Sequence, residues 1–354
     1  MKMKAAVFKG INNISIETRE AECPPGGLLV KVEACGICGS DVRNYHNGLK
    51  DNVTNQIMGH EIAGVVVDSE SARFPAGSRV AMAPDVSCGE CWYCKRALVN
   101  LCENHRMLGT HFPGGFAQYI AVEQVVLERG FIEPVPEGMP SIHAAFAETA
   151  SAVLACQERC NVSLGDRVVI IGDGPVGCLH LETARARGAS EIIMLGRGRM
   201  EMAKIFEPDH LLYNDLVNDL VNDPAKTVNL VKSLTGGIGA DIVICAVPTA
   251  AVQQQALDMV RKRGIVVIYG GVPGHDEITS LNSNRIHYGE ITVTGAFSYP
   301  STGLLDALSA IHKGKIKADK YINKVVPLER ITEGIAMVEQ GKALKVMVDP
   351  WLTE

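Results

Sequence analysis

The sequence Arg167-Val-Val-Ile-Ile-Gly-Asp-Gly-Pro-Val-Gly177 places a glycine-rich turn between an apolar strand and a helical pattern. In the spacing G-x-G-x-x-G, the first glycine permits a tight turn, the second lets the backbone approach a pyrophosphate, and the third lets the helix pack on the strand. The amino end of the helix adds amide donors and a partial positive charge. This context predicts a dinucleotide-binding unit; the alternative is a glycine-rich turn without a ligand. The predicted binding residues of the turn are Gly172, Gly174, Pro175, Val176 and Gly177.

The end of the next apolar strand indicates which nicotinamide cofactor the turn would bind. An NAD site normally carries a carboxylate about 20 residues after the turn, where it holds the ribose 2′-hydroxyl. Here the strand at 192–195 ends in Gly196-Arg197-Gly198-Arg199. A guanidinium group can clasp a 2′-phosphate that a carboxylate would repel. We therefore predict NADP(H) in preference to NAD(H), bound by Gly196, Arg197 and Arg199. The alternative is that the arginines are solvated and that Glu201 serves the ribose.

The hydrophobic pattern of the chain changes near residue 150. Before this point, short β segments are separated by glycine and proline, for example at 28–33, 62–67 and 117–122. After it, apolar strands alternate with helical patterns, which predicts βαβ units on a parallel sheet. The predicted strands of this part are 167–171, 191–195, 241–245 and 264–269, and the predicted helices are 176–187 and 252–262. The tail from about 296 has helical patterns at 304–313 and 331–340 and a closing strand at 345–349.

The composition excludes several classes of function. The chain has 354 residues, is 47% hydrophobic and carries a formal charge of −6. This length suggests roughly two domains, and the mild acidity argues against nucleic acid as a partner. No apolar run is long enough for a membrane span, and the amino terminus lacks the apolar core of a signal peptide. Eleven cysteines, most of them among apolar neighbours, suggest a reducing compartment, and we expect the protein to be cytoplasmic.

Four cysteines have the spacing of a structural zinc site: Cys88-x2-Cys91-x2-Cys94-x7-Cys102. A tetrahedral zinc ion takes four thiolates, and short gaps let one loop of about 88–102 supply them all. A closed set of four thiolates predicts a structural zinc, because a catalytic zinc keeps one position open. A disulfide cluster or four unrelated thiols would be the alternative.

A second metal site is predicted from three fragments of the first half. Gly36-Ile-Cys38-Gly-Ser40-Asp41, Gly59-His60-Glu61 and Phe146-Ala-Glu148-Thr149 offer a thiolate, an imidazole and carboxylates. Cys38, His60 and Glu148 suit a zinc ion with an open fourth position, and Glu61 is a possible alternate ligand. Ser40 can hydrogen-bond a substrate hydroxyl and start a proton relay. Taken singly, each residue also has an ordinary explanation, such as a core histidine or a buried thiol.

The chain resembles the zinc-dependent medium-chain dehydrogenases/reductases, which include alcohol, sorbitol and threonine dehydrogenases. The resemblance covers essentially the whole length and rests on 36–41, 59–61, the four cysteines, 172–177 and the later Gly236-Gly-Ile-Gly-Ala-Asp241. It implies an α/β fold: a GroES-like, β-rich catalytic domain of residues 1–150 and 296–354, and a Rossmann domain of residues 151–295 with a doubly wound parallel sheet.

The resemblance also implies roles for individual residues. In the family, the residues matching Cys38 and His60 hold the catalytic zinc, and the third ligand is a cysteine or, in the polyol and threonine branches, a glutamate. Glu148 therefore favours polyol-like substrates. Two positions depart from the family pattern. Arg43 stands where a relay histidine is common, although His46 is a candidate substitute, and Thr149 replaces a proline after the glutamate.

The predicted function is a zinc-dependent oxidoreductase that moves a hydride between a polyol-like secondary alcohol and a nicotinamide cofactor. An alternative is a dehydrogenase of a sugar acid, a sugar phosphate or L-threonine, in which Arg43, Lys50, Arg285 and His287 would serve an anion. A non-catalytic NADPH-binding sensor is the alternative of another class. The resemblance implies a homodimer or homotetramer, with the strand at 291–294 as a cross-subunit edge. Candidate pocket residues, or ordinary core aromatics, are Phe112, Phe116, Phe297 and Tyr299.

Overall fold

The computed structural model describes residues 1–214, 224–272, 277–300 and 302–353. The chain divides into two compact units, Met1–Ser151 with Tyr299–Glu354, and Ala152–Ser298. Within the described residues, none of the helices is both long and apolar enough to cross a membrane.

The strands follow the apolar segments of the sequence. They are β1 (Lys2–Gly10), β2 (Asn13–Glu20), β3 (Leu28–Ile37), β4 (Gln56–Ile57), β5 (Glu61–Ser69), β6 (Arg79–Ala83), β7 (Asp85–Val86), β8 (Arg106–Met107), β9 (Tyr119–Val122), β10 (Phe131–Pro134), β11 (Arg167–Ile171), β12 (Glu191–Gly196), β13 (His210–Tyr213), β14 (Ala240–Cys245), β15 (Val260–Ile268), β16 (Thr292–Gly295), β17 (Ile322–Pro327) and β18 (Lys345–Asp349).

The helices lie mainly between the strands of the second unit and in the tail. They are α1 (Gly39–Asn47), α2 (Gln124–Arg129), α3 (Ser141–Arg159), α4 (Pro175–Arg187), α5 (Met200–Ala203), α6 (Pro224–Leu234), α7 (Ala250–Met259), α8 (Ser283–Gly289), α9 (Gly303–His312) and α10 (Ile331–Glu339).

The first unit is built on a mixed sheet in which β3 has the central place. The strand order is β10-β6-β5-β3-β18-β17, and β9 also pairs with β3. Almost every side chain of β3 is buried, which fits its position between neighbours on both sides. Strand β18 comes from the end of the chain, yet it pairs antiparallel with β3, with Val346 opposite Ile37. The first unit therefore depends on both ends of the chain, and this arrangement is the GroES-like, β-rich part of the predicted fold.

The second unit is a parallel sheet with the order β13-β12-β11-β14-β15-β16. The order reverses between β11 and β14, and doubly wound folds bind their ligands at the carboxyl ends of the strands beside such a reversal. Pairing aligns these ends, with Ile171 opposite both Leu195 and Cys245. The glycine-rich turn and the arginine loop leave the sheet at this edge. The doubly wound Rossmann fold predicted from the sequence is confirmed.

One boundary in the second unit differs from its prediction. The helical pattern predicted a helix to residue 262, but α7 ends at Met259 and β15 begins at Val260. Arg261, Lys262 and Arg263 have side chains that are at least partly exposed, so this entry to the strand lacks the apolar alternation that marks a strand in sequence. The charged residues belong to the solvated start of β15.

Candidate active site and metal centres

The four cysteines of residues 88–102 converge in the first unit. Their sulfur atoms all lie within 4.8 Å of one another, with 3.9 Å between Cys88 and Cys94 and 3.5 Å between Cys91 and Cys94. A tetrahedral ion with metal–sulfur bonds of about 2.3 Å holds its sulfur atoms about 3.8 Å apart. The donor set and its spacing therefore fit a closed zinc site.

Backbone amides of the same loop point at the sulfur atoms. The amides of Cys88, Cys91 and Cys94 donate to the sulfurs of Cys102, Cys88 and Cys91, respectively, at 3.2, 3.4 and 3.5 Å. Amide donors from Glu90 and Cys91 lower the pKa of Cys88 to about 6, whereas burial raises the pKa of Cys102 to about 12. Cys88 is thus favoured as a thiolate, whereas the more buried thiol of Cys102 needs a nearby cation to ionise.

A second cluster forms where β3 passes into α1 and where β5 begins. The ligand atoms of Cys38, His60 and Glu61 lie within 4.8 Å of one another. Cys38 is the residue before α1, and Glu61 is the first residue of β5. Cys38 and His60 are half-buried, and Glu61 is fully buried. A thiolate, an imidazole and a carboxylate at this separation fit a zinc ion with an open position.

The carboxylate of Asp41 contacts both Cys38 and His60. One of its carboxylate oxygens accepts a hydrogen bond from the Cys38 amide at 2.9 Å, and the other lies 3.4 Å from His60 Nδ1. This contact leaves Nε2 of His60 as the nitrogen that can face a metal. Burial opposes protonation of His60, but the charge and hydrogen bond of Asp41, together with Cys38, raise its pKa well above its ordinary value.

Glu61 is paired with a buried lysine from the end of the chain. The ammonium group of Lys345, on β18, donates to both carboxylate oxygens at 2.6 and 2.8 Å, and the Thr149 hydroxyl donates to one of them at 2.9 Å. Burial opposes the charge on Lys345, but the charge and hydrogen bond of Glu61, together with the other groups around the lysine, raise the pKa of the ammonium group. The carboxylate also needs Gly36 on β3, because a Cβ there would lie 1.8 Å from Glu61 Oε2.

Glu148, on α3, lies outside the cluster of Cys38, His60 and Glu61. Its carboxylate accepts a hydrogen bond from the Tyr299 hydroxyl at 3.1 Å. Desolvation raises the pKa of Glu148 to about 7; the nearby Glu61 adds to this shift, and the charges of His60 and Lys345 oppose it. Glu148 is therefore a neighbour of the candidate metal ligands, held by a tyrosine, and its predicted role as the third ligand stays a prediction.

The predicted relay residues have different surroundings. Ser40 Oγ lies 3.3 Å from His60 Nε2, so the serine hydroxyl is next to the nitrogen that could face a metal. Arg43 is exposed on α1. His46 hydrogen-bonds the Asn12 side chain through Nδ1 at 2.6 Å. The structure thus joins Ser40 to the cluster, and it gives His46 a partner on the loop between β1 and β2.

In the second unit, the glycine-rich turn has the geometry that its spacing predicts. Gly172 has a φ of +134°, a conformation that side chains rarely adopt. A Cβ on Gly177 would lie 1.9 Å from the carbonyl oxygen of Gly172, so α4 can pack this closely on β11 only with glycine there. Gly174 precedes the first residue of α4, and the position that a Cβ would take there lies 3.6 Å from Arg199 Nη1.

Comparisons with known proteins agree with this architecture. Residues 24–137 match the alcohol dehydrogenase GroES-like domain, and residues 175–312 match the zinc-binding dehydrogenase family. The chain is 33% identical to a sorbitol dehydrogenase of Bacillus subtilis (strain 168) over 98% of its length and 97% of that protein. The chain belongs to the zinc-dependent medium-chain dehydrogenases.

Two further relatives of this dehydrogenase inform its chemistry. An erythritol/L-threitol dehydrogenase of Mycolicibacterium smegmatis is 32% identical over 99% of the chain and 98% of that protein. A protein of Sinorhizobium meliloti 1021, assigned as a zinc-binding dehydrogenase and solved bound to NADP, is 29% identical with a TM-score of 0.87, covering 99% of this chain and all of the other. The dehydrogenase is thus a zinc-binding oxidoreductase that uses a nicotinamide cofactor.

Arg285, one of the residues predicted to serve an anionic substrate, is bound to the backbone of its own unit. Arg285 hydrogen-bonds the carbonyl oxygens of Leu257, Asp258 and Val260, where β15 begins. This is the amino edge of the parallel sheet, opposite the edge that carries the glycine-rich turn. Arg285 therefore ties α8 to the start of β15.

The candidate pocket aromatics of the dehydrogenase divide into three kinds. Phe112 and Phe116 belong to the hydrophobic core of the first unit, which was the alternative interpretation. Phe297 is 63% exposed. Tyr299 is buried and donates to Glu148, so it is the aromatic residue of this group that touches the predicted active site.

Two residues of the dehydrogenase site were missed by the sequence reasoning. Asp41 is visible in the motif Cys38-Gly-Ser-Asp41, and its position three residues after a ligand was a usable sign of a supporting carboxylate. Lys345 begins an otherwise apolar strand, Lys345-Val-Met-Val. A lysine at the start of a buried strand is unusual, but nothing local identifies Glu61 as its partner.

Proposed function

We propose that this enzyme is an NADP-dependent polyol dehydrogenase that oxidises a secondary alcohol of a neutral polyol and reduces the corresponding ketone. The observation that carries the substrate class is the pair of carboxylates, Glu61 and Glu148, beside Cys38 and His60. A carboxylate-rich site suits a zinc ion that binds two substrate oxygens. The names of the sorbitol and erythritol/L-threitol dehydrogenase relatives support the same class.

We propose two zinc ions per chain. Cys88, Cys91, Cys94 and Cys102 would hold a structural ion, which the sulfur spacing supports. Cys38, His60 and a carboxylate would hold the catalytic ion. Glu61 is the carboxylate within reach in this structure, and Glu148, held by Tyr299, is the alternate ligand.

When bound, the zinc ion would lower the pKa of the substrate hydroxyl, and the nicotinamide ring would accept the hydride. The chain's own residues prepare this chemistry. Asp41 fixes the orientation of His60, and Lys345 neutralises Glu61, so the buried cluster does not accumulate uncompensated negative charge. Ser40, beside His60 Nε2, accepts the hydroxyl proton and passes it toward solvent.

The cofactor preference rests on the loop after β12. Gly196 stands at the position where an NAD site usually has the carboxylate that holds the ribose 2′-hydroxyl. Arg197 and Arg199 add positive charge at the same edge of the sheet. Arg197 is exposed, whereas Arg199 lies along the glycine-rich turn near Gly174. This placement supports a 2′-phosphate as the ligand of the loop.

We also propose roles for the two regions of the chain and an assembly of several copies. We assign catalysis to residues 1–150 and 296–354 and cofactor binding to residues 151–295. We also propose a homodimer or homotetramer, because β16 is an edge strand of the parallel sheet among the described residues, and an edge strand can pair with a strand of a second copy.

The test is the initial rate of cofactor reduction by zinc-loaded protein over neutral polyols, sugar acids and sugar phosphates, with NADP+ and NAD+ in parallel. We expect the highest kcat/KM with a neutral polyol and NADP+. We expect the double variant Arg197→Ala with Arg199→Ala to lose about tenfold or more of its kcat/KM for NADP+ and little for NAD+.

The matched control is Arg263→Ala, which removes an arginine of the same unit that is 80% exposed and pairs with Glu290. Activity limited to sugar acids or sugar phosphates would overturn the substrate class. Equal loss for both cofactors in the double variant would overturn the cofactor preference. Tight NADPH binding without turnover of any alcohol or ketone would instead favour a sensor.

A further inference from the structure

The glycine-rich turn contains an acidic residue, Asp173, between its first two glycines. Dinucleotide sites usually place their carboxylate at the end of the second strand, but that position here is Gly196. Asp173 is only 8% exposed. The unit therefore keeps a carboxylate at this edge of the sheet, but attaches it to the turn rather than to the strand.

The carboxylate of Asp173 is used to hold the arginine loop. A single oxygen, Oδ2, accepts hydrogen bonds from the backbone amides of Arg197 at 2.9 Å and of Arg199 at 2.6 Å. Hydrogen bonds from amides to an ionised carboxylate are among the stronger ones in proteins. Together, these two bonds fix the backbone on both sides of Gly198, and therefore fix where each arginine side chain starts.

Gly196 and Asp173 are sterically matched. A Cβ at position 196 would lie 2.7 Å from Asp173 Cβ and 2.8 Å from its Oδ2. Asp173 thus occupies the space that a side chain at the strand end would need. The glycine at this position does more than remove an acidic group, because it makes room for the carboxylate that anchors the loop.

The anchored loop places Arg199 against the turn. Its Nη1 lies 3.6 Å from the Cβ position of Gly174. Cys178, in the first turn of α4, interacts electrostatically with both groups. Burial raises the pKa of its thiol to about 12; the charge of Asp173 raises this pKa further, and the charge of Arg199 lowers it. The carboxylate and the guanidinium group therefore lie at the same end of α4.

We propose that Asp173 is a positioning residue for cofactor choice: it holds the backbone of residues 197–199 so that Arg197 and Arg199 are directed at a 2′-phosphate. This inference rests on the proposed preference for NADP. The rival role for Asp173 is direct: its carboxylate would accept the ribose 2′-hydroxyl and favour NAD. The two roles predict opposite effects of removing the carboxylate, because the first loses 2′-phosphate affinity and the second gains it.

The experiment is calorimetric titration of the zinc-loaded full-length protein with adenosine 2′,5′-bisphosphate and with 5′-AMP, which differ only in the 2′-phosphate. We expect Asp173→Ala to weaken binding of the bisphosphate about tenfold or more relative to 5′-AMP, as for the loss of a charge-assisted hydrogen bond. Asp173→Asn keeps an oxygen that can accept the same amides, and we expect it to recover most of the lost selectivity. An unchanged or increased ratio of the two affinities in Asp173→Ala would overturn the proposal.

A second variant breaks the same contact from the other side. Gly196→Ala would push its methyl group into Asp173, and we expect the same selective loss of bisphosphate binding. Gly198→Ala is the matched control, because a Cβ at Gly198 meets no atom within 4 Å, and we expect it to keep the wild-type ratio. If Gly196→Ala also keeps the wild-type ratio, the proposal is wrong.

The wild-type protein and the double arginine variant separate this inference from the one on which it rests. Equal affinity of the wild-type protein for the two nucleotides would contradict the NADP preference itself. A wild-type preference that is lost in the double arginine variant but kept in Asp173→Ala would leave the NADP preference standing and overturn the role of Asp173 alone.

Discussion

The two predicted zinc sites of the first unit are built in different ways. The cysteine cluster takes all of its ligands from residues 88–102, and amides of the same loop support the sulfur atoms. The active-site cluster joins β3, α1 and the start of β5 and is completed by Lys345 of β18, which lies 284 positions from Glu61. One site is specified by a single loop, and the other by the topology of a whole sheet.

This difference indicates that a metal ion would have a different effect on the protein in each of the two clusters. The cysteine loop has little regular structure of its own, so the binding free energy of its ion would contribute directly to folding. The residues of the active-site cluster are also held by protein contacts, from Asp41, Thr149 and Lys345. We therefore expect loss of the first ion to affect stability and loss of the second to affect chemistry.

The largest effect is expected for Cys38→Ser. The variant should lose about a thousandfold or more of its kcat, since it would lack a ligand of the catalytic ion, while its unfolding temperature and the zinc of the cysteine cluster remain. The measurements are steady-state rates, zinc content and thermal unfolding. Cys23→Ser, a half-buried free thiol outside both clusters, is the control. Unfolding of Cys38→Ser would contradict a purely catalytic role.

Cys94→Ser is the reciprocal change and should act mainly on stability. We expect the free energy of unfolding to fall by about 3 kcal/mol or the protein to aggregate, because three thiolates bind the structural ion less tightly and this binding supports the loop. Chemical denaturation with parallel zinc analysis measures the change. A soluble variant with wild-type stability and full activity would show that the two sites do not differ in this way.

A smaller effect is expected for Asp41→Asn, which sharpens the comparison by changing a supporting residue instead of a ligand. Zinc affinity at the active site should fall by about tenfold to a hundredfold, since the carboxylate that orients His60 is replaced by an amide. Competition with a chelator measures both sites, and the cysteine site should be unaffected. Asp51→Asn is the control, because Asp51 also faces a histidine, His111 at 3.0 Å, outside both clusters. Unchanged affinity in Asp41→Asn would show that Asp41 has no orienting role.

The same contrast explains how much the sequence could predict. The glycine-rich turn, the strands of the parallel sheet and the convergence of four cysteines depend on residues close together in the chain, and the structure has them as expected. Cys38, His60 and Glu61 were found through short motifs, and the structure brings their ligand atoms together. Motifs of this kind keep their meaning without knowledge of the fold.

What the sequence could not give are contacts that the topology creates. The Lys345–Glu61 ion pair requires β18 beside β3, and the bond from Tyr299 to Glu148 joins residues 151 positions apart. Asp173 was read only as a variable position of the glycine motif, because its partners are backbone amides of another loop. Strand β17 was not predicted, since Asn323 and Lys324 interrupt its apolar residues.

The pairing of Lys345 with Glu61 has a consequence for how the enzyme is made. During synthesis the His60–Glu61 segment leaves the ribosome well before β18, because Lys345 lies 284 positions after Glu61, so in that interval Glu61 lacks this cation and β3 lacks one of its neighbouring strands. An open strand edge in a nascent chain is a place for wrong pairing. The cluster around Glu61 can therefore be completed only once β18 has been synthesised, because this strand both pairs with β3 and brings a cation to Glu61.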